Sequence, residues 1–495
     1  MKAEGNIQGK LLSGLFWVLL ANLLVKPFWI LGVEVGVQNA VGNEAYGFYY
    51  ALFSFSYIFN ILLDLGVTNF NTRNIAQHPQ LITKHLSGIL GIKVLLLGLY
   101  LIVTFSVGLL MGYGSTEFRL LALLTLCQFL NSLILYLRSN FEGLLLFKWD
   151  SLFSILDRLL MIVICGCMIW SPLRERFNIY WFVYAQLAAY GITAALAFVV
   201  IARKAHFRRL RWDRRFFLVI LRKSAPFALL VLLMASYNRI DPILLRHLAT
   251  DADAGIYAGA FRLLDALTMV AYLVSVPLLP VFSRVCVAYK STPSPLRGTP
   301  PVPGGELDTQ RGTSLENAPL GCSPETGELS EGLRGGSNHS PLHSILRIVF
   351  WPMMLFSVGA ALVCAVCAEP LMRLLYHEHF AAYVPVFRVV IFGLVPIGLT
   401  YIFGTLLTAG GHLRQLNLFA AASLVLNIVV NLIMIPRFGA VGSAYASLTA
   451  QSFMAVAQLL LAVRLFRLPS AVFGLPKPNE IVTNIRSILN KQDKE

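Results

Sequence analysis

The chain has 495 residues, 57% of them hydrophobic and 13% charged, with a mean hydropathy of +0.69. A soluble protein is about 45–50% apolar and about 25% charged, so this composition excludes a disordered chain, a disulfide scaffold and a single soluble enzyme domain, and it points to a membrane protein. Lys and Arg number 40 against 25 Asp and Glu, a net charge of +15; the basic residues lie mostly in short segments between apolar runs, which reads as a topology signal toward anionic lipid headgroups rather than a nucleic-acid footprint.

A bilayer core about 30 Å thick needs about 20 apolar residues per spanning helix. Twelve runs qualify: residues 11–33, 45–66, 86–111, 119–138, 151–170, 179–201, 224–245, 255–283, 346–368, 383–409, 416–435 and 441–463. The first is too long for a signal-peptide core and has no small-residue cleavage site behind it, so it is expected to stay as span one. With both termini inside, the inner segments carry 28 basic residues and the outer loops 6, a strong positive-inside bias. The expected fold is an all-α polytopic membrane protein of about 12 transmembrane helices in two six-helix bundles, with both termini cytoplasmic. Its parts are an N-terminal bundle (1–201), a basic cytoplasmic linker (202–223), a C-terminal bundle (224–463) interrupted by the loop 290–342, and a cytoplasmic tail (464–495).

Along the chain, span one carries Lys26-Pro27, a cation beside a helix breaker, which suggests a hinge. Span two opens on Ala45-Tyr46-Gly47-Phe48-Tyr49 and ends at Asp64. Lys93 lies in span three, Asp157-Arg158 in span five, and Arg239 and Asp241 in span seven. Span eight opens on Asp253-Ala254-Gly255-Ile256-Tyr257, 208 residues after the matching stretch of span two, and carries Arg262 and Asp265. The two stretches read as a weak internal repeat, as expected of parallel halves with substrate bound between them. Of the 53 residues in 290–342, 24 are Pro, Gly or Ser, so this loop is expected to be disordered. Cys364-x-x-Cys367 has no second pair and apolar flanks, and His377-Glu378-His379 has no third ligand; no metal site is expected. Arg388 in span ten has no fixed depth and can snorkel.

Each charge at the centre of a span costs about 2.5–3.5 kcal/mol on the insertion scale. Ten such charges facing lipid would cost roughly 25–35 kcal/mol, more than a marginally stable fold carries, so most must face a wet or paired interior. Asp265 stands three residues after Arg262 on the same helix face, and both a structural pair and a substrate contact are open there. Lys26, Lys93 and Arg239 have no local partner and are candidates for a cationic cavity that takes an anionic, phosphate-bearing cargo. Trp29, Tyr46, Tyr49, Tyr237 and Tyr257 are candidates to stack on sugar rings or to form an interfacial belt.

Three stretches carry a family resemblance: Asp64-Leu-Gly-Val-Thr-Asn-Phe-Asn-Thr-Arg73-Asn-Ile-Ala76, then Asp253-Ala-Gly-Ile-Tyr-Ala-Gly-Ala-Phe-Arg262-Leu263, and finally Asn427-x3-Asn431-x4-Pro436-x2-Gly439-x2-Gly442. Together they resemble the polysaccharide (O-antigen repeat-unit) flippases of the multidrug/oligosaccharidyl-lipid/polysaccharide exporter superfamily. The resemblance spans nearly the whole chain except the 290–342 insertion. It implies a multi-pass protein of the bacterial inner membrane, not an enzyme, that moves undecaprenyl-pyrophosphate-linked oligosaccharide to the outer leaflet by alternating access. Its implied partners are the lipid-linked substrate, membrane lipids and polysaccharide-assembly proteins, with no nucleic acid. The implied substrate-binding cations are Lys26, Arg239 and Arg262, and less directly Lys93. Asp64, Asp241 and Asp265 are acids that either couple transport to an H+ or Na+ gradient or serve structure; no other cofactor is implied. A multidrug or cation antiporter of the same fold is the alternative, followed by a membrane polysaccharide polymerase, which the short outer loops and the lack of a nucleotide motif disfavour. The related peptidoglycan-precursor flippases resemble fourteen-span proteins.

Overall fold

The computed structural model describes residues 25–68, 71–72, 75, 80, 82–144, 146–172, 177–205, 214–275, 278, 282, 341–376 and 380–474. Residues 1–24, which hold most of predicted span one, the linker residues 206–213, the loop residues 290–340, the tail beyond 474, Arg73 and His377-Glu378-His379 lie outside the described residues.

Helices make up nearly all of what is described: α1 (Val25–Leu63), α2 (Ile82–Leu110), α3 (Ser115–Gly143), α4 (Phe147–Ile169), α5 (Ile179–Ala205), α6 (Arg214–Leu248), α7 (Asp251–Ser275), α8 (Pro341–Val366), the short α9 (Ala368–Leu375), α10 (Phe380–Ala409) and α11 (Leu413–Phe466). Nine of them are long and apolar enough to cross a membrane. α6 carries Arg222, Lys223, Arg239, Asp241 and Arg246 along its length. At 1.5 Å per residue α1 would run about 58 Å and α11 about 81 Å if straight, far beyond a bilayer core of about 30 Å. Each is broken by a glycine with non-helical backbone, Gly42 in α1 (φ 83°) and Gly439 in α11 (φ 52°). In α11 the chain doubles back: a Cβ on Gly442 would lie 2.4 Å from the Met434 carbonyl oxygen, whereas eight helical residues span about 12 Å. Counted this way, the nine long helices, the two breaks and α6 correspond in number to the twelve predicted spans, although only residues 25–33 of span one are described. Trp149 and Trp170, exposed at the two ends of α4, stand about 32 Å apart along it, the spacing of two membrane interfaces.

Four apolar clusters hold the helices together. One is built mainly from α1 to α5 and takes in Ile243 and Ala258 from α6 and α7. A second, mainly from α6 to α11, takes in Val35. These two join the N-terminal and C-terminal helices, and they lie toward the end that the loop-charge bias places outside. The other two lie toward the inner end and do not mix among the described residues: one contains only residues between 62 and 201, the other only residues between 271 and 473.

The outer junction is tight because the repeat glycines face each other across α1 and α7. A Cβ on Gly47 would lie 1.7 Å from the Asp251 carbonyl oxygen, and one on Gly255 would lie 2.1 Å from that of Asn43. In each case the carbonyl belongs to the residue four before the opposite glycine, so the crossing has local two-fold character. Around it, Gln38 donates to the Gly255 carbonyl (2.8 Å) and to the Tyr383 hydroxyl (3.1 Å). Asn39 donates to the Leu375 carbonyl (2.8 Å), and Tyr383 donates to Asn43. Arg246 of α6 reaches Glu117 of α3 (2.8 Å) and Asp251 (3.1 Å), with its guanidinium over Phe48 and Tyr113. Burial pushes the Tyr113 hydroxyl up to about 12, against the opposing pull of Arg246. Among the described residues the molecule is therefore clasped at its outer end, whereas its two inner clusters share no residue and the inner halves meet where α6 packs on the turn Phe59–Leu63.

Candidate functional site

Where α1 follows Lys26-Pro27, it widens into a six-residue π-helical stretch, Trp29–Glu34. Proline supplies no backbone N–H, and π turns of this kind concentrate at functional sites. The wider repeat brings residues five apart together: Trp29 Nε1 donates to Glu34 at 3.2 Å. The same turn points Glu34 inward, toward α7. Glu34 lies one residue past the predicted end of span one, and no apolar pattern marks it as intramembrane; its one sequence signal is the Trp-x4-Glu spacing after Lys26-Pro27.

Arg262 of α7 is 3% exposed. Its guanidinium covers the Tyr46 ring at 4.4 Å, and its Nε is 3.9 Å from a Glu34 oxygen. Both terminal nitrogens are buried without a hydrogen-bond partner. A charge-assisted bond normally closes to about 2.7–2.9 Å, so Arg262 is only loosely countered. Asp265 does not form the local pair its spacing permits; its carboxylate makes no ion pair among the described residues and feels Arg239, Glu34 and Arg262 through space. Arg239 of α6 donates to the Tyr50 hydroxyl (2.9 Å) and stacks over Tyr57, Tyr50 and Phe53 at 5.3–6.0 Å. Three rings on one face of α1 thus hold its guanidinium in place without neutralising it.

On the N-terminal side, Arg158 meets Asp157 at 3.6 Å and lies over Trp29 and Tyr190. Half-buried Lys26 has no hydrogen bond or ion pair among the described residues; its electrostatic neighbours are Arg158, Arg138 and Asp157. Lys26, Arg158, Arg239 and Arg262, with Glu34, Asp157 and Asp265, so form one group of four cations and three carboxylates between the α1–α5 and α6–α7 helices. Trp29, Tyr46, Tyr49 and Tyr257 are all buried, under arginines or in packed aromatic pairs rather than open to a sugar, and Tyr237 is buried as well. Arg388 is exposed and stands outside the group.

Lys93 is placed differently. It is fully buried, and its three donors go to the Leu63 carbonyl (2.9 Å), Asp64 (2.8 Å) and the Ser132 hydroxyl (2.8 Å). Asp64 also accepts from the Thr68 backbone and hydroxyl. Together they tie off the inner end of α1, where a 3₁₀ turn (Phe59–Leu63) is followed by Leu65 at φ 43°.

Asp241 occupies a third setting. It is 2% exposed and accepts from Asn431 (2.8 Å) and Tyr257 (2.9 Å), with Asn427 and Ser447 nearby and no cation beside it among the described residues. Asn431 in turn donates to Asn427 (2.6 Å). Asn427 and Asn431 belong to the third motif of the sequence; four residues apart, they share a helix face. No cluster of three or more His, Cys, Asp or Glu suited to a metal occurs among the described residues, and Cys364 and Cys367 are free thiols.

Residues 11–286 match the profile of a family described as "Polysaccharide biosynthesis protein". No curated protein matches the chain in sequence. Among solved structures, the chain is similar to the lipid II flippase MurJ in an inward closed conformation, with a TM-score of 0.62 at 13% identity over 92% of this chain and 88% of that one. It is similar to an inward-facing multidrug resistance MATE transporter of the MOP superfamily, with a TM-score of 0.58 at 14% identity over 92% and 95%. A variant of the Vibrio cholerae MATE transporter VcmN gives 0.55 at 17% identity over 96% and 100%. At these identities the likeness is one of fold.

Proposed function

The chain belongs to the polysaccharide biosynthesis protein family, and on that premise we propose that it is a flippase for an undecaprenyl-pyrophosphate-linked oligosaccharide repeat unit. It works in the bacterial inner membrane and delivers its cargo to the polysaccharide-assembly proteins on the outer side. The observation that carries this reading is the incomplete pairing of Lys26, Arg239 and Arg262 among the described residues, above all the two unpartnered terminal nitrogens of Arg262. A buried cation without its full complement of partners is costly. A phosphate repays that cost, because its oxygens match the guanidinium fork and accept from an ammonium. The lipid tail stays in the bilayer while the headgroup sits among these cations.

Residues 1–201 and 224–463 act as the two bodies that rock against each other. The clasped outer end and the separate inner clusters correspond to a state that loads from the inside. Opening the Arg246–Glu117 and Gln38–Tyr383 contacts while closing the inner ends gives the outward state. Lys93 and Asp64 brace the N-terminal body and do not touch cargo, since every donor of Lys93 is spent. Asp241, an acid held by neutral donors alone, is the group through which an H+ or Na+ gradient couples to transport. Asp265 tunes Arg239 and Arg262.

The multidrug or cation antiporter is the second reading. Four cations against three carboxylates leave the site net positive, a poor match for cationic drugs. Reconstitution into liposomes tests the choice. The flippase reading expects a fluorescent pyrophosphate-linked glycolipid to change leaflet in a protein-dependent way, with no proton- or sodium-driven movement of cationic dyes. Dye movement without glycolipid movement establishes the antiporter.

A further inference from the structure

Within the site, Glu34 is the only carboxylate in ion-pair range of Arg262 among the described residues, and it is held there weakly. One of its oxygens is 3.9 Å from Arg262 Nε, and the carboxylate keeps a bond to Trp29 Nε1 at 3.2 Å. Its side chain is 27% exposed whereas that of Arg262 is 4% exposed, so Glu34 has water to turn to and Arg262 does not. Glu34 is also the acid common to the surroundings of Arg158, Arg239, Arg262 and Asp265. Asp157, by contrast, is committed to Arg158.

Charge balance gives this placement a consequence. The empty site is net positive by one, with Glu34 counted among its acids. A phosphate group brings about two negative charges and strong acceptor oxygens. Its arrival beside a retained Glu34 leaves two anions competing for one buried guanidinium, and like charges at that range repel strongly where water is scarce. The anion with the looser contact and the nearer water must leave. Because its bond to Trp29 survives a small rotation, Glu34 can leave Arg262 without being stranded.

We propose that Glu34 is a resident counter-anion, which holds Arg262 between cargoes and yields it to the phosphate of the incoming headgroup. The proposal rests on the flippase reading and names the residue that sets how tightly the site grips its anion. A site with no such acid would bind phosphate too firmly to let it go on the far side. Glu34 lowers affinity for the cargo and speeds its release, acting by competition for Arg262 rather than by contact with the cargo.

The test uses the full chain in lipid nanodiscs and inorganic pyrophosphate as the probe, with calorimetric titration at fixed salt. Glu34→Gln keeps an acceptor for Trp29 and removes the charge. Its expected effect is a roughly tenfold tighter dissociation constant than wild type, with slower pyrophosphate dissociation, while Arg262→Ala abolishes the gain in the double variant. Asp253→Asn, which removes one negative charge at the outer end, serves as the control and is expected to leave affinity unchanged. A thermal melt of each variant confirms that the proteins compared are folded. Equal or weaker binding by folded Glu34→Gln overturns the role of Glu34 and leaves the flippase reading standing. Equal tightening by Asp253→Asn also overturns it, because the effect is then general charge. Absence of pyrophosphate binding by wild type and Glu34→Gln alike overturns both.

Discussion

Lys93 and Arg262 carry the same charge inside apolar helices and meet opposite environments. The Lys93 ammonium gives each of its three protons to an acceptor, one of them the Asp64 carboxylate. Arg262 leaves two nitrogens bare. Removing one member of a buried pair strands the other, at a cost of about 3–5 kcal/mol. Lys93→Met is therefore expected to lower the unfolding temperature in detergent sharply, and the double change Lys93→Met with Asp64→Asn to recover much of the loss. Arg262→Ala is expected to keep a near wild-type melting temperature and lose glycolipid movement, a contrast read by running both assays on one preparation. Sequence alone marks every one of these charges as costly at bilayer depth, yet it cannot say which are paid for by partners, because Leu63, Asp64 and Ser132 meet Lys93 from two other helices. Glu34 escapes notice for a related reason: its depth depends on a π turn that leaves no mark on hydropathy.

Two helices decide how the halves meet. α1 and α7 approach until the backbone of each touches a glycine of the other, at Gly47 and Gly255. A methyl group on either collides with a carbonyl oxygen, and backbone cannot give way as a side-chain tip can. Gly47→Ala and Gly255→Ala are thus expected to pry the outer junction apart and shift the population toward an outward-open state. Electron–electron distance measurements between spin labels on outer residues of α3 and α6 would register a longer mean distance; an unchanged distribution would count against the crossing as the clasp. The repeat of Gly and aromatic at a 208-residue offset makes this pair legible in the sequence as related positions. That they touch is not legible there, since repeats on a common axis can lie apart. Helix breaks were partly readable: Pro436 and Gly439 stand in a motif quoted from sequence, whereas the break at Gly42 follows from its φ of 83° alone.

At the scale of the molecule, alternating access needs the outer clasp to open and the inner ends to close around one fixed charge group. Joining α3 to α6 should therefore stop transport while leaving binding intact. In a background without the native cysteines, a short cleavable reagent linking Glu117→Cys to Arg246→Cys is expected to arrest glycolipid movement, and cleavage to restore it; movement through the cross-linked protein would contradict rocking of the two bodies. The all-helical fold and its many apolar spans follow from apolar run lengths, which act locally and leave a pattern in the chain. The division of labour among cations does not, because it is set by contacts between segments hundreds of residues apart. The central claim is that Lys26, Arg239 and Arg262 hold the phosphate of a lipid-linked cargo. It is tested most directly by scoring leaflet exchange of a fluorescent pyrophosphate-linked glycolipid in liposomes for two triple variants, all-Ala and charge-conserving (Lys26→Arg, Arg239→Lys, Arg262→Lys). The account predicts loss of exchange to the protein-free level for the first and retention of a measurable fraction by the second; wild-type exchange by the all-Ala variant would contradict it.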